Sequence, residues 1–245
     1  MQYSLPFILS CVILIAFTTF TVALQYMEPS PQFLRIYNYY LSLVPGLTRE
    51  RWELCTDFFR VRNIKKGDFL QKQGVVANHV SFLNYGLLRM YHLVDGREKV
   101  SEFFKEGEYA ADYRSFLMRE PAHTYVQALE DTEVVDLSFD DLQIIYQRIP
   151  EANFIGRLIA EELFKDMCRR TTIQATVSID EQYAAVVRDK PWRIQRVPQY
   201  MIASYLGVTP EALSRIKSRA GKRSRKIPLR PTTPVITEIA AAAKP

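Results

Sequence analysis

The sequence predicts an α+β chain with its parts in a fixed order. An antiparallel β barrel or roll comes first, then one long helix, then a C-terminal helix-turn-helix domain. Three observations carry this. Short strand-like runs separated by turn residues fill Asn63–Leu137. After Pro150 the hydrophobic spacing switches to three and four residues. A compact helix–glycine–helix pattern occupies Pro198–Arg219.

The 245 residues leave room for two compact domains or one large one. Hydrophobic residues make up 48% and charged residues 24%, which excludes a wholly disordered chain, a collagen and a coiled-coil rod. Lys+Arg number 32 and Asp+Glu 27, a net charge of +5 whose meaning depends on where the excess sits. Cys11, Cys55 and Cys168 lie far apart, and none forms a C-x-x-C pair. That speaks against a zinc or iron–sulfur ligand set, and the sparse, odd count fits a reducing compartment.

Taken in chain order, residues 1–26 are the first element. Leu5–Leu24 is a run of twenty residues without a charge. As a helix it would span about 30 Å, one bilayer core. No Lys or Arg precedes it and no A-x-A site follows, so a cleaved secretory signal fits poorly. Two readings stand. In one the start is over-extended and Met27 is the true first residue. In the other the run is a membrane anchor, and Arg35, Arg49 and Arg51 after it keep the rest of the chain in the cytoplasm.

Residues 30–148 read as the roll. Pro31–Tyr40 and Thr48–Phe59 are helical in pattern. Ile64–Leu70 is a turn between extended pieces, and Val80–Tyr91 is rich in β-formers. Asp95-Gly96 sits between Met90–Val94 and Lys99–Phe104, a hairpin signal because both residues accept positive φ. Tyr125–Leu129 and Glu133–Leu137 make a further pair.

Residues 150–176 form an amphipathic helix. Ile155, Leu158, Ile159, Glu162, Leu163 and Met167 fall on its apolar stripe, and Pro150 and Glu151 suit its start. Its length favours a seam with a second copy over packing on its own roll.

Residues 177–220 form the terminal head. Ile202, Ala203 and Leu206 share a face of a short helix, Gly207 permits the tight turn and Val208 plugs the corner. Thr209 is an N-cap, Pro210 a first helical residue, and Leu213 and Ile216 turn inward. A solvated helical hairpin would also show a polar face, but here eight positions agree with a DNA-reading helix-turn-helix. The outward face carries Thr209, Glu211, Ser214, Arg215 and Ser218. Arg215 can pair with guanine O6 and N7, and Glu211 can accept from cytosine N4. Tyr200, Lys217 and Arg219 suit phosphates. Residues 221–245 open with a basic cluster from Lys222 to Lys226 and continue as a Pro/Ala-rich stretch that reads as a flexible tail. Arg215–Arg230 holds eight basic residues and no acid, which leaves 24 basic against 27 acidic residues elsewhere. The chain is thus a slightly acidic sensor with a cationic end, as a DNA-reading protein should be.

This order of parts resembles the Crp/Fnr family of bacterial transcription regulators over roughly Gln32–Arg219. The likeness is most specific at Val197–Arg219, at Lys66-Gly-Asp-Phe-Leu and at Phe104-Lys-Glu-Gly-Glu108. It is particularly similar to divergent members common in Bacteroidetes, through Gly107–Phe116 and Ala128–Asp131. The resemblance implies a cyclic-nucleotide-binding-like sensor domain folded as a double-stranded β-helix of jelly-roll type, a dimer helix at Pro150–Ala175 and a winged-helix-like character for the helix-turn-helix head. It also implies base contacts from Glu211 and Arg215, four apart on the recognition helix. Members that bind cyclic nucleotides carry Gly-Glu and, about ten residues on, an Arg-Ser or Arg-Thr pair that holds the cyclic phosphate. Gly107 and Glu108 match, but Ala122 and His123 stand where that pair would be. Arg114 and Arg119 are near but out of register. A buried phosphate without a guanidinium would be costly. Cyclic AMP is therefore not the expected effector, and Gly107, Glu108, Ala122, His123 and Thr124 remain as candidates to line a pocket for an unknown one.

The family's iron–sulfur sensors need four cysteines, and His79, His92 and His123 read as turn or surface residues rather than haem ligands. No cofactor and no metal site are expected. No Ser/His/Asp, paired-carboxylate or P-loop arrangement points to catalysis. The expected partners are double-stranded DNA, a second copy of the chain and RNA polymerase, in the cytoplasm. The alternative is a membrane-tethered module sensing a small molecule or cyclic nucleotide, which needs residues 5–24 to be retained.

Overall fold

The computed structural model describes residues 29–224, with side chains to Arg219. The apolar run at residues 5–24 and the tail beyond residue 224 lie outside the described residues. Among the described residues, no helix is long and apolar enough to cross a membrane. The chain divides into two compact units between Thr176 and Val177.

In the first unit a 3-10 turn at Pro31–Phe33 leads into α1 (Leu34–Leu43), and α2 (Arg49–Thr56) follows. Thr48 caps α2 by accepting the Arg51 N–H at 3.4 Å. The sequence predicts this helix to run on to Phe59, but it stops at Thr56. Phe59 instead opens β1 (Phe59–Ile64), is buried and pairs with Leu137, so the sheet claims the residue.

Eight strands then build the predicted roll as two four-stranded antiparallel sheets. One runs β1, β8 (Thr132–Ser138), β3 (His79–Tyr85), β6 (Tyr109–Ala110). The other runs β2 (Phe69–Gln71), β7 (Tyr125–Ala128), β4 (Leu87–Val94), β5 (Arg97–Lys105). The stretch Val80–Tyr91 divides into two strands, because the chain crosses between sheets at Gly86. There φ is +105°, and a Cβ would lie 2.3 Å from the Thr132 hydroxyl oxygen. Asp95 and Gly96 both have positive φ, so the β4–β5 hairpin forms at the predicted turn.

Side chains alternate across the first sheet. Leu83 and Val134 point into the roll, where they meet Leu88, Val126 and Ala128 of the second sheet. Val80, Phe82, Val135 and Leu137 point outward, to a helical layer with Ile36, Trp52 and Phe116 at its centre. That layer comprises α1, α2, the short α3 (Tyr113–Met118) and α4 (Phe139–Arg148). Ser138 caps α4 by accepting the Asp141 N–H at 3.0 Å. A single residue, the buried Ile149, joins α4 to α5 (Pro150–Thr176); its N–H bonds to the Ile145 carbonyl at 2.8 Å.

The second unit is helical throughout its described residues: α6 (Ile179–Asp189), α7 (Pro191–Arg196), α8 (Gln199–Tyr205) and α9 (Pro210–Ser224). Ser178 and Glu181 form a reciprocal capping box at the start of α6. Tyr183, Val186, Val197, Met201, Ile202, Leu206, Leu213 and Ile216 are buried and make its core. No strand of the expected wing lies among the described residues, and the chain after α9 is outside them.

Candidate nucleic-acid interface

The α8–α9 corner is fixed by backbone chemistry. Gly207 takes φ +70°, its N–H bonds to the Ser204 carbonyl at 3.0 Å, and the Val208 N–H bonds to the Ala203 carbonyl at 2.9 Å. This is a Schellman ending, which satisfies carbonyls the helix would leave orphaned. Ala203 is fully buried, so the small side chain sits where the two helices approach. Thr209 starts α9 by accepting the Ala212 N–H at 3.2 Å, and Leu213 and Ile216 anchor the helix from beneath.

That anchoring leaves Thr209, Glu211, Ser214, Arg215, Lys217, Ser218 and Arg219 exposed, together with Tyr200 on α8. The α9 side chains expected to meet DNA therefore occupy one polar face of a single helix. Glu211 is held ionised, below the usual carboxylate range, by a backbone N–H at the helix start, then by the Thr209 hydroxyl and the charge of Arg215. Lys217 donates to the Gln199 side-chain oxygen at 2.9 Å, which leaves its charge unneutralised by that partner. Arg219 makes a bidentate pair with Asp180 of α6, both contacts at 2.9 Å, so it also ties α9 to its own head. Exposed pairs of this kind are worth about 0–1 kcal/mol and exchange readily for a phosphate.

In the roll, the five pocket candidates fall into two groups. Gly107 and Glu108 form the turn between β5 and β6. The Gly107 N–H bonds to the Leu83 carbonyl at 2.9 Å, and the Glu108 carboxylate accepts the Lys105 N–H at 3.1 Å. Ala122 is buried with both backbone groups bonded to the Gly74–Val75 segment, His123 is exposed, and Thr124 is buried. The acid that meets this second group is Asp112, which the sequence does not single out. One Asp112 oxygen caps α3 by accepting the Ser115 N–H at 3.0 Å, and the other accepts the Thr124 hydroxyl at 2.7 Å. One buried carboxylate thus holds both the helix-start amide and the Thr124 hydroxyl. His79 is exposed and His92 half-buried.

The cyclic nucleotide-binding domain family model matches residues 61–149, which cover most of the roll and α4. The transcriptional activator protein Anr of Pseudomonas aeruginosa is 26% identical over 172 residues, 65% of this chain and 70% of that protein. The anaerobic regulatory protein of Haemophilus influenzae is 24% identical over 176 residues, 66% of this chain and 67% of that protein. Both alignments extend well past the 89-residue domain match. The chain is similar over about two thirds of its length to Crp/Fnr-type transcription regulators, and its residues 61–149 match their cyclic nucleotide-binding domain. Its fold is that of FixK2 from Bradyrhizobium japonicum, with a TM-score of 0.59 at 17% identity over 68% of this chain and 86% of that one. The regulator CLP of Xanthomonas campestris, described as responsive to c-di-GMP, matches with a TM-score of 0.57 at 18% identity, covering 74% of this chain and 95% of that one.

The long helix of this chain is unequally covered. Ile155 belongs to the expected dimer stripe but is buried within its own unit, lodged against the helical layer, and so is not free to meet a partner. Leu158 and Ile159 are half-buried. From Glu161 to Arg169 every residue is exposed, including Glu162, Leu163, Phe164 and Met167. Arg170 returns to the roll through the Glu102 carboxylate and the Ser101 carbonyl. The uncovered apolar stretch is therefore the middle of α5. Phe164, exposed and one turn before Cys168, is the member of that stretch the sequence pattern omits.

Proposed function

We propose that this Crp/Fnr-type regulator reads a pseudo-palindromic DNA site as a symmetric homodimer. The observation that carries the reading is the two-faced α9. Leu213 and Ile216 are buried beneath it, while Glu211 and Arg215 stand exposed one turn apart at its N-terminal half. A helix anchored in this way presents its first turns to base edges in a major groove. Arg215 suits a guanine and the ionised Glu211 a cytosine amino group, while Tyr200, Lys217 and Arg219 suit the flanking phosphates. Two such helices on a two-fold axis engage half-sites about 34 Å apart.

The uncovered middle of α5 supports the dimer, since a contiguous apolar stripe on a long helix is stable in water only when covered. The buried Asp112 carboxylate supports an effector other than a cyclic nucleotide, because a phosphate held at Ala122–Thr124 would meet an acid there in place of the missing guanidinium. RNA polymerase is the proposed protein partner and the cytoplasm the proposed location. A chain that kept residues 5–24 would act at the inner membrane instead. No catalytic role is proposed.

In vitro selection of duplexes bound by the full chain and by Arg215→Ala tests the reading. The parent should enrich a two-fold symmetric site. Arg215→Ala should lose preference at one base pair per half-site by about 5- to 150-fold, the span of a bidentate base contact. Unchanged site selectivity in the variant would remove Arg215 from base reading.

A further inference from the structure

The outer side of the first sheet holds a chamber that the DNA-reading function does not use. It has a volume of about 450 Å³ and lies between the helical layer and α5. Its walls run from the buried Trp52 and Phe116 to the exposed Leu117, Phe164 and Met167, so its open end lies between α3 and the middle of α5. It is separate from the Asp112–Thr124 end of the roll, since its sheet residues are the outward-facing Phe59, Val80, Tyr109 and Leu137. A volume of this size suits one small organic molecule.

Two polar atoms in its walls are buried without a hydrogen-bond partner: the Tyr113 hydroxyl and one Glu151 oxygen. Such atoms are costly to leave unmade. The neighbouring Tyr40 and Tyr109 hydroxyls satisfy each other at 2.6 Å, so Tyr113 stands out in an otherwise completed group. Among the described residues, the only charged ones in the lining are Arg51 and Glu151, which face each other at 3.4 Å across the wall. The lining therefore keeps no cation to neutralise an acidic ligand, and its other residues are mainly aliphatic and aromatic. Burial, with the Glu151 charge adding to it, pushes the Cys55 thiol up to about 11, so the chamber offers no thiolate to a reactive ligand.

We propose that this chamber is an effector site for a neutral, largely hydrocarbon molecule bearing one hydrogen-bond acceptor, such as a carbonyl, which takes the Tyr113 hydroxyl. As an effector site it rests on the regulator reading above; as a binding site it stands alone. The ligand would touch α5 directly, because Gly156 and Ile159 of that helix form part of the wall.

Calorimetry on the full chain with 4-phenyl-2-butanone and with butylbenzene, its analogue lacking the carbonyl, tests the proposal. Light scattering on the same samples reports the dimer. Saturable binding of the ketone at one site per chain is expected, with dimer mass unchanged. Tyr113→Phe removes only the unpartnered oxygen and should leave the melting temperature intact. It should weaken the ketone by about 2- to 12-fold, the range of one neutral hydrogen bond, and leave butylbenzene unaffected. Leu117→Trp, at the exposed rim, should weaken both. The proposal is overturned by an absence of saturable ketone binding, or by equal losses for both molecules in Tyr113→Phe. It is also overturned if binding occurs only as the dimer dissociates, which would make the chamber part of a subunit seam. None of these outcomes bears on the selected DNA site, so the two readings fail separately.

Discussion

Gly86 and Gly207 both take positive φ, yet a methyl group at each would meet different surroundings. At Gly86 it would strike Thr132 backbone and side chain within 2.7 Å, while at Gly207 nothing lies within 4 Å. Gly207→Ala should therefore cost only the left-handed backbone penalty, about 1–2 kcal/mol, and Gly86→Ala about 3 kcal/mol or more. Denaturant titration of the two variants checks the order. The cysteines differ just as sharply. Cys55 is desolvated and held as a thiol, whereas Cys168 is exposed. Iodoacetamide at pH 8 should label Cys168 and spare Cys55 in the folded protein, as read by peptide mass mapping; equal labelling would mean the chamber wall opens. Residues whose role is local are legible in the sequence, as the Thr209 cap and the Gly207 turn show. Asp112 is not, because its partner Thr124 is twelve residues away and meets it only once β6 and β7 are placed. Glu108 has the familiar motif spacing but spends its carboxylate on a turn amide.

Among the elements, the long helix and the α8–α9 pair follow from periodicity because each runs through several turns with one apolar face. The helices α3 and α4 do not stand out in the same way. The first has six residues, too short for a period to repeat. The second carries a readable start, Ser138 followed by Asp140 and Asp141, and the structure uses Ser138 as its cap. The break of Val80–Tyr91 into two strands depends on a sheet-to-sheet crossing, which no alternation pattern encodes. The exposed middle of α5 makes its own prediction. Leu163→Glu combined with Met167→Glu should shift the mass in solution from about twice 28.5 kDa to 28.5 kDa, because charges would face each other across the seam. Sedimentation velocity reads this directly, and both residues are exposed within the unit, so the fold itself should survive. A dimer that persists would place the subunit contact elsewhere.

For the whole molecule, charge is distributed as strongly as structure. Six of the basic residues lie in residues 221–245, a segment that begins in the last turn of the reading helix. For every phosphate that this segment neutralises, its deletion should flatten the dependence of log K on log salt by about 0.9. Anisotropy titrations of the full chain and of a chain ending at Ala220 measure it, and identical slopes would make the segment irrelevant to DNA. The order of roll, long helix and head is legible from the sequence because each part has its own hydrophobic period, while strand pairing and the chamber emerge only from long-range packing. The single-residue joint at Ile149 has a mechanical consequence. The 27 residues of α5 form a rod about 40 Å long. Once the Arg170 contacts with Glu102 and Ser101 are released, a rotation of about 5° at its root would carry the Thr176 end sideways by about 3.5 Å, more than the width of a water molecule, for that rigid length. The buried, hydrogen-bonded Ile149 and the Arg170 contacts thus hold the two ends of the rod, and the lever arm between them is what a displacement in the wall of α4 would act on.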